Sequence, residues 1–165
     1  MISYYNRLMR ILGIDPGYAR LGWGLIDGET YIACGVIETK KSLPEEKRLG
    51  LLFDQLKQLI GQYKPEVVAV EKLFFFKNQI TVIPVAQSRG LALLAAAQAD
   101  LPVFSYTPPQ IKMAVSGYGR ADKSQVQSMV KAILKLKALP QPDDAADALA
   151  VALTHSFSRK LYTKL

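Results

Sequence analysis

The chain has 165 residues, half of them hydrophobic, which is enough for one well-buried core and short for two. Its 21 Lys and Arg outnumber 14 Asp and Glu, giving a formal charge of +7 and a surface suited to nucleic acid. Cys34 is the single cysteine, which excludes an intramolecular disulfide and argues against a thiolate metal site, and no apolar run reaches the ~20 residues of a membrane span.

The polar start MISYYNRLMR lacks the apolar stretch of a signal peptide, so the chain reads as cytoplasmic. Residues 1–8 read as an N-terminal arm, frayed or an artefact of start-site choice. Residues 9–158 read as one domain and residues 159–165 as a basic tail.

Residues 10–16 (RILGIDP) form an apolar strand pattern ending at a Pro-Gly turn. Two further strands, over 21–27 and 31–38, flank Asp27-Gly28, a hairpin signal, so three strands form an antiparallel meander. Ser42-Leu43-Pro44-Glu45 has the spacing of a capping box, and Leu49, Leu52, Phe53, Leu56, Leu59, Ile60 and Tyr63 follow at helical spacing. Residues 66–70 (EVVAV) read as a short all-apolar strand, as expected for a buried parallel crossover. A second helix is predicted over 81–99, with Pro84 near its first turn, and a fifth strand over 101–106. Then come a short helix over 108–115, a mobile loop over 116–120, and a helix over 122–136 with an Asp-x-x-Gln cap and a Val126, Met129, Val130, Ile133 core stripe. The last helix is predicted from Pro142, as its first residue, to about Phe157. The order βββαβαβαα describes a five-stranded mixed sheet with helices on both faces.

Four carboxylates sit where solubility does not explain them: Asp15 and Glu71, each ending an apolar strand, and Asp144 and Asp147 within DDAADALAVAL. Isolated charges are costly to bury, so such acids need a partner, and in a basic chain a shared cation is the first to test. Parallel neighbours open their carboxyl ends onto one edge, so Asp15 and Glu71 would face one cleft. Asp144 and Asp147 are three apart and share a helix face. Asp143 reads as a complement to the helix dipole, an explanation that fails for Asp147, a full turn further in. Oxygen-only ligands suit Mg²⁺, with Mn²⁺ as a substitute, and four carboxylates suffice for two ions acting in phosphodiester hydrolysis. His155, the only histidine, reads as structural.

GIDPG followed by GWG, VAVEKLFFFKN, QSRG, KSQVQSMV and DDAADALAVALTH resemble the RuvC family of Holliday-junction resolvases, within the ribonuclease H-like superfamily, over residues 9–157. The resemblance implies a ribonuclease H-like α/β fold. It also implies paired metal-dependent nicks in strands of like polarity at four-way DNA junctions during recombination and repair. The family's catalytic carboxylates match Asp15, Glu71, Asp144 and Asp147; its junction-probing aromatic matches Phe74; basic residues near the cleaved phosphate match Lys112 and Lys123. Read from the residues alone, three successive aromatics are more often core, and the two lysines are ordinary solvated side chains. The family further implies a two-fold homodimer, with the small-residue helix around Ala86–Ala97 as the expected contact, and partnership with the RuvA and RuvB branch-migration proteins.

Overall fold

The computed structural model describes residues 8–17, 19–73 and 79–162. Strands β1 (Arg10–Asp15), β2 (Arg20–Asp27) and β3 (Thr30–Glu38) form the expected antiparallel meander, with Gly28 at φ +63° in the tight turn between β2 and β3. Helix α1 (Glu45–Tyr63) leads to β4 (Val67–Glu71), α2 (Gln79–Gln98) and β5 (Val103–Tyr106), followed by α3 (Pro108–Ser116), α4 (Lys123–Ile133) and α5 (Asp143–Tyr162). The sheet order is β3-β2-β1-β4-β5, with β1, β4 and β5 parallel.

Strand periodicity divides the apolar residues between two layers. Leu12 and Ile14 of β1 and Val68 and Val70 of β4 point to the face covered by α1 and α2. Ile11, Val67 and Ala69 point to the face covered by α3, α4 and α5. By the same alternation, Asp15 and Glu71, one residue past the register pair Ile14 and Val70, belong to the α5 face.

Helix α5 lies against the middle of the sheet because the strands carry glycine beneath it. A methyl group on Gly13 would collide with the Ala148 carbonyl and Ala152, and one on Gly22 with the Asp144 carbonyl. Ala145, Ala146, Ala148 and Ala150 complete the approach, each 1% exposed or less.

Several local expectations are corrected. The capping box at Ser42 does not form: Pro44 occupies the N-cap with no side-chain hydrogen bond, leaving the acidic first turn, Glu45 and Glu46, to complement the dipole. Pro84 lies in the second turn of α2, beyond the first turn expected for it. The three helices read after β5 all form, the first opening on a Thr107–Gln110 capping box, so the element order ends in three helices where βββαβαβαα has two. Residues 116–120 leave α3 through Gly117 at φ +74°, with the Ser116 hydroxyl donating to the Lys112 carbonyl at 2.7 Å. Asp122 and Gln125 form the expected box on α4, where Val126 and Val130 are buried, but Met129 is 39% exposed. Pro142 precedes α5, joined to Gln141 by a cis bond, and the helix runs on to Tyr162, beyond the expected end at Phe157.

Candidate active site

A cavity of about 260 Å³ opens at the carboxyl edge of the parallel strands, on the α5 face. Asp15 and Glu71 reach it from the strand ends, Asp147 from α5, Lys112 from α3 and Lys123 from the first turn of α4. The sheet and three helices therefore bring together residues separated by up to 132 positions in sequence, from Asp15 to Asp147.

The charges explain one another. Burial, then the negative charges of Glu71, Asp147 and Asp144, hold the Asp15 carboxyl well above the ordinary carboxylate range. Glu71 is raised as well, chiefly by burial, while its hydrogen bond with Asp15 and the cations Lys123 and Lys112 pull the other way. Burial holds both carboxyls up, and the hydrogen bond between them favours a proton on Asp15 and a charge on Glu71.

Lys123 reaches from α4 to Asp147 at 2.8 Å and Asp143 at 3.1 Å. Burial lowers the proton affinity of its ammonium, but bonds to Asp147 and Asp143 outweigh that and hold it well above the usual lysine value. Gln127, one turn along α4, donates to Asp147 at 3.3 Å. Asp144 sits just outside the cavity lining, where Arg20, held at 2.9 Å by Glu38, approaches it at 3.7 Å. Asp143 is the outer residue of the pair, and Lys123 keeps its carboxyl below the usual range, chiefly by their hydrogen bond.

Among the described residues, no three acidic, histidine or cysteine side chains stand together as a ready-made metal cage. Asp147 is turned to Lys123 and Gln127, and Asp144 towards Arg20. The donor set nonetheless fits a hard divalent cation: the side chains are carboxylates, and the elevation of Asp15 by three neighbouring acids marks a deficit of positive charge that Lys112 and Lys123 do not fill. Phe74 lies outside the described residues.

Sequence reasoning missed Arg20 and Gln127. Arg20 opens β2, whose antiparallel pairing with β1 returns the chain to the edge where Asp15 ends. Gln127 follows Lys123 by four on α4, so both face α5. These spacings place the two residues at the site's edge, although they do not encode which acid each one meets.

Comparison with known proteins decides the family. The family model described as crossover junction endodeoxyribonuclease RuvC matches residues 11–155. The chain belongs to the RuvC family. A crossover junction endodeoxyribonuclease RuvC of Roseiflexus is 48% identical over 161 residues, covering 94% of this chain and 95% of that protein. A relative of the same description from Rubrobacter xylanophilus is 51% identical, covering 92% and 87%. The solved structure of Thermus thermophilus RuvC in complex with Holliday junction substrate superimposes with a TM-score of 0.88 at 37% identity, covering 94% of this chain and 97% of the other. The RuvC match establishes the ribonuclease H-like α/β fold, a five-stranded mixed sheet with helices on both faces.

His155 does not face the cavity. It is 6% exposed, bonded through Nδ1 to the Tyr106 hydroxyl at 2.7 Å and packed on the Phe104 ring at 4.4 Å. Burial, followed by the charge of Arg159, lowers it from the ordinary 6.5 to about 4. A base buried neutral contributes stability above its unfolded pKa and loses it as the pH falls from about 6.5 through about 4. His155→Gln is therefore expected to flatten the acid side of the melting profile relative to the unsubstituted protein, a difference worth on the order of 3 kcal/mol across that window. Parallel thermal melts at pH 7.5 and pH 4.5 measure it; a difference independent of pH would mean that His155 takes up its proton equally in the folded and unfolded chain, which would remove the burial argument.

Proposed function

We propose that this chain is a metal-dependent endodeoxyribonuclease that resolves four-way DNA junctions by paired nicks in strands of like polarity. The observation that carries this reading is the crowding of Glu71, Asp147 and Asp144 around the buried Asp15, beside two lysines, in a member of the RuvC family. Asp15, Glu71, Asp144 and Asp147 would hold two Mg²⁺ ions, with Mn²⁺ able to substitute. When bound, the cation supplies Lewis acidity at the cleaved phosphate and lowers the pKa of a coordinated water.

The protein's own groups do the rest. Asp15, whose proton burial favours, would have to lose it to serve as a ligand. Lys112 and Lys123 line the same cavity and draw the phosphodiester in by charge, a contact that positions without reading sequence. Were Asp147 to hold the cation, Lys123 would share that carboxylate with it or turn its ammonium to the phosphate in the same cavity. Phe74, three residues past Glu71, would stack on a base exposed where junction strands exchange.

Residues 9–158 are the proposed nuclease domain, preceded by the 1–8 arm and followed by the 159–165 tail. A homodimer is proposed through α2, whose exposed Ile83 and Leu94 are 68% and 47% accessible, while Ala92, Ala95 and Ala96 of the small-residue stripe pack on their own sheet. The RuvA and RuvB proteins are proposed partners, and the site of action is the cytoplasm; no described helix is long and apolar enough to cross a membrane.

The deciding assay compares a labelled synthetic four-way junction with linear duplex and structured RNA, each with Mg²⁺ and with chelator. Symmetric nicks on the junction alone, only with Mg²⁺, are expected. Equal cleavage of linear duplex or RNA would overturn the junction assignment.

A further inference from the structure

A second cavity, of about 340 Å³, lies on the opposite face of the same sheet edge, lined by Gly17, Thr39, Glu45, Arg48, Gln87 and Ser88 among others. Its position follows from the topology. β3 and β1 both pair antiparallel with β2, so Thr39, just past the end of β3, lies at the edge where Asp15 ends β1. Helix α1 starts at that edge after β3, and α2 starts there after β4. Gly17, two residues beyond Asp15, therefore stands in the short β1–β2 connection that separates the two cavities.

The pointer to a ligand is Ser88. It is 2% exposed, and its hydroxyl has no hydrogen-bond partner among the described residues. A buried helical hydroxyl ordinarily returns its proton to the carbonyl four residues back, as Thr154 does to Ala150 at 2.8 Å. Ser88 makes no such bond and lines the cavity instead, so a donor is kept buried at a cost that a bound acceptor would offset.

The neighbouring groups favour an anion. Arg48 is oriented by its Nε donating to the Thr39 hydroxyl at 3.0 Å. Helix α1 begins at the same edge with no side-chain cap, but Glu45 and Glu46 in its first turn already complement its dipole, so the positive charge offered to an anion is that of Arg48. The one acid in the lining, Glu45, accepts from Gln87 at 2.7 Å, which ties α1 to α2 and occupies its carboxylate.

Resting on the nuclease reading of the first cavity, we propose that this second cavity binds a non-scissile backbone phosphate of the substrate DNA, through Ser88 and Arg48. A strand crossing the β1–β2 connection would place the phosphate to be cut in one cavity and a neighbouring phosphate in the other. The contact would set how far the strand is drawn in without selecting its sequence.

The test is junction binding by the full chain in chelator, over a series of salt concentrations, with Ser88→Ala and Arg48→Gln. Losing one phosphate contact should make the slope of log affinity against log salt shallower by about one for Arg48→Gln, with affinity down about tenfold. Ser88→Ala should weaken binding severalfold while the melting temperature of the free protein holds or rises, because its buried hydroxyl has no partner among the described residues to lose. A methylphosphonate at one phosphate beside the scissile bond should reproduce the loss and add nothing further in Arg48→Gln. If both variants bind with the unsubstituted slope and affinity, the second site is wrong although the nuclease reading stands. The second site is equally wrong if the Arg48→Gln loss only tracks its unfolded fraction. Failure of the unsubstituted protein to prefer the junction over linear duplex would instead remove the nuclease reading itself.

Discussion

Asp15→Asn is expected to cut junction nicking by about a hundredfold to a thousandfold, as loss of one preorganised charged group at a reacting phosphate does, while the metal-free protein melts higher than its parent at pH 7. Both effects have one cause. Asp15 is raised by burial and by three neighbouring acids, so the fold holds it most comfortably when protonated. A carboxyl with a raised folded pKa contributes stability that is fully present below its ordinary value of 3.8 and is lost as the pH rises through the folded value. Asparagine keeps the shape and removes that dependence, so the gap in melting temperature should open as the pH rises from about 4 to 7. Added Mg²⁺ should narrow the gap, because a cation that binds only the folded parent stabilises it by mass action. Wild-type nicking by Asp15→Asn over several Mg²⁺ concentrations would remove this residue from the metal site. A melting difference that ignores pH would remove the crowding argument.

Much of this arrangement was legible in the sequence because it depends on short-range pattern. The all-apolar runs before Asp15 and Glu71 could only be buried strands, and their period of two dictates which face each terminal acid must take. The Asp-x-x-Gln box before α4 is equally local, and both of its hydrogen bonds form. The start of α1 was less legible because Pro44 fixes a backbone that puts Ser42 out of reach of the first turn. Hidden altogether was the wiring of charge between elements: Arg20 to Glu38 and Asp144, Lys123 to Asp143 and Asp147. These contacts join residues far apart in the chain, and no periodicity encodes which lysine of 123, 131 or 135 will find an aspartate on another helix. Met129 shows the same limit from the apolar side: it has stripe spacing, but it lies outside the core cluster that takes in Val126 and Val130, and the chain leaves it 39% exposed.

The glycines under α5 make the second large prediction. Gly13→Ala is expected to lower stability by about 1–3 kcal/mol, the usual cost of overpacking a core, which in a chain of this size corresponds to a drop of roughly 2–12 °C in melting temperature. The added methyl meets the Ala148 carbonyl, the Ala152 nitrogen at 2.7 Å and the Ala152 methyl at 2.9 Å, and backbone on a buried helix cannot swing aside as a side chain would. Helix α5 must lift. Asp147 lies one residue before Ala148, so the displacement separates it from Asp15 and Glu71, and nicking should fall further than the folded fraction alone dictates. Gly22→Ala, whose methyl meets the Asp144 carbonyl, should act through Asp144 in the same way. Gly50→Ala provides the opposite control: it lies within α1 with nothing within 4 Å of the added carbon, so it should stabilise, by up to about 1 kcal/mol. Melting curves and single-turnover junction cleavage on the three variants decide the matter. If Gly13→Ala melts with the parent and cuts at its rate, close approach of α5 to β1 is not what holds the acids together.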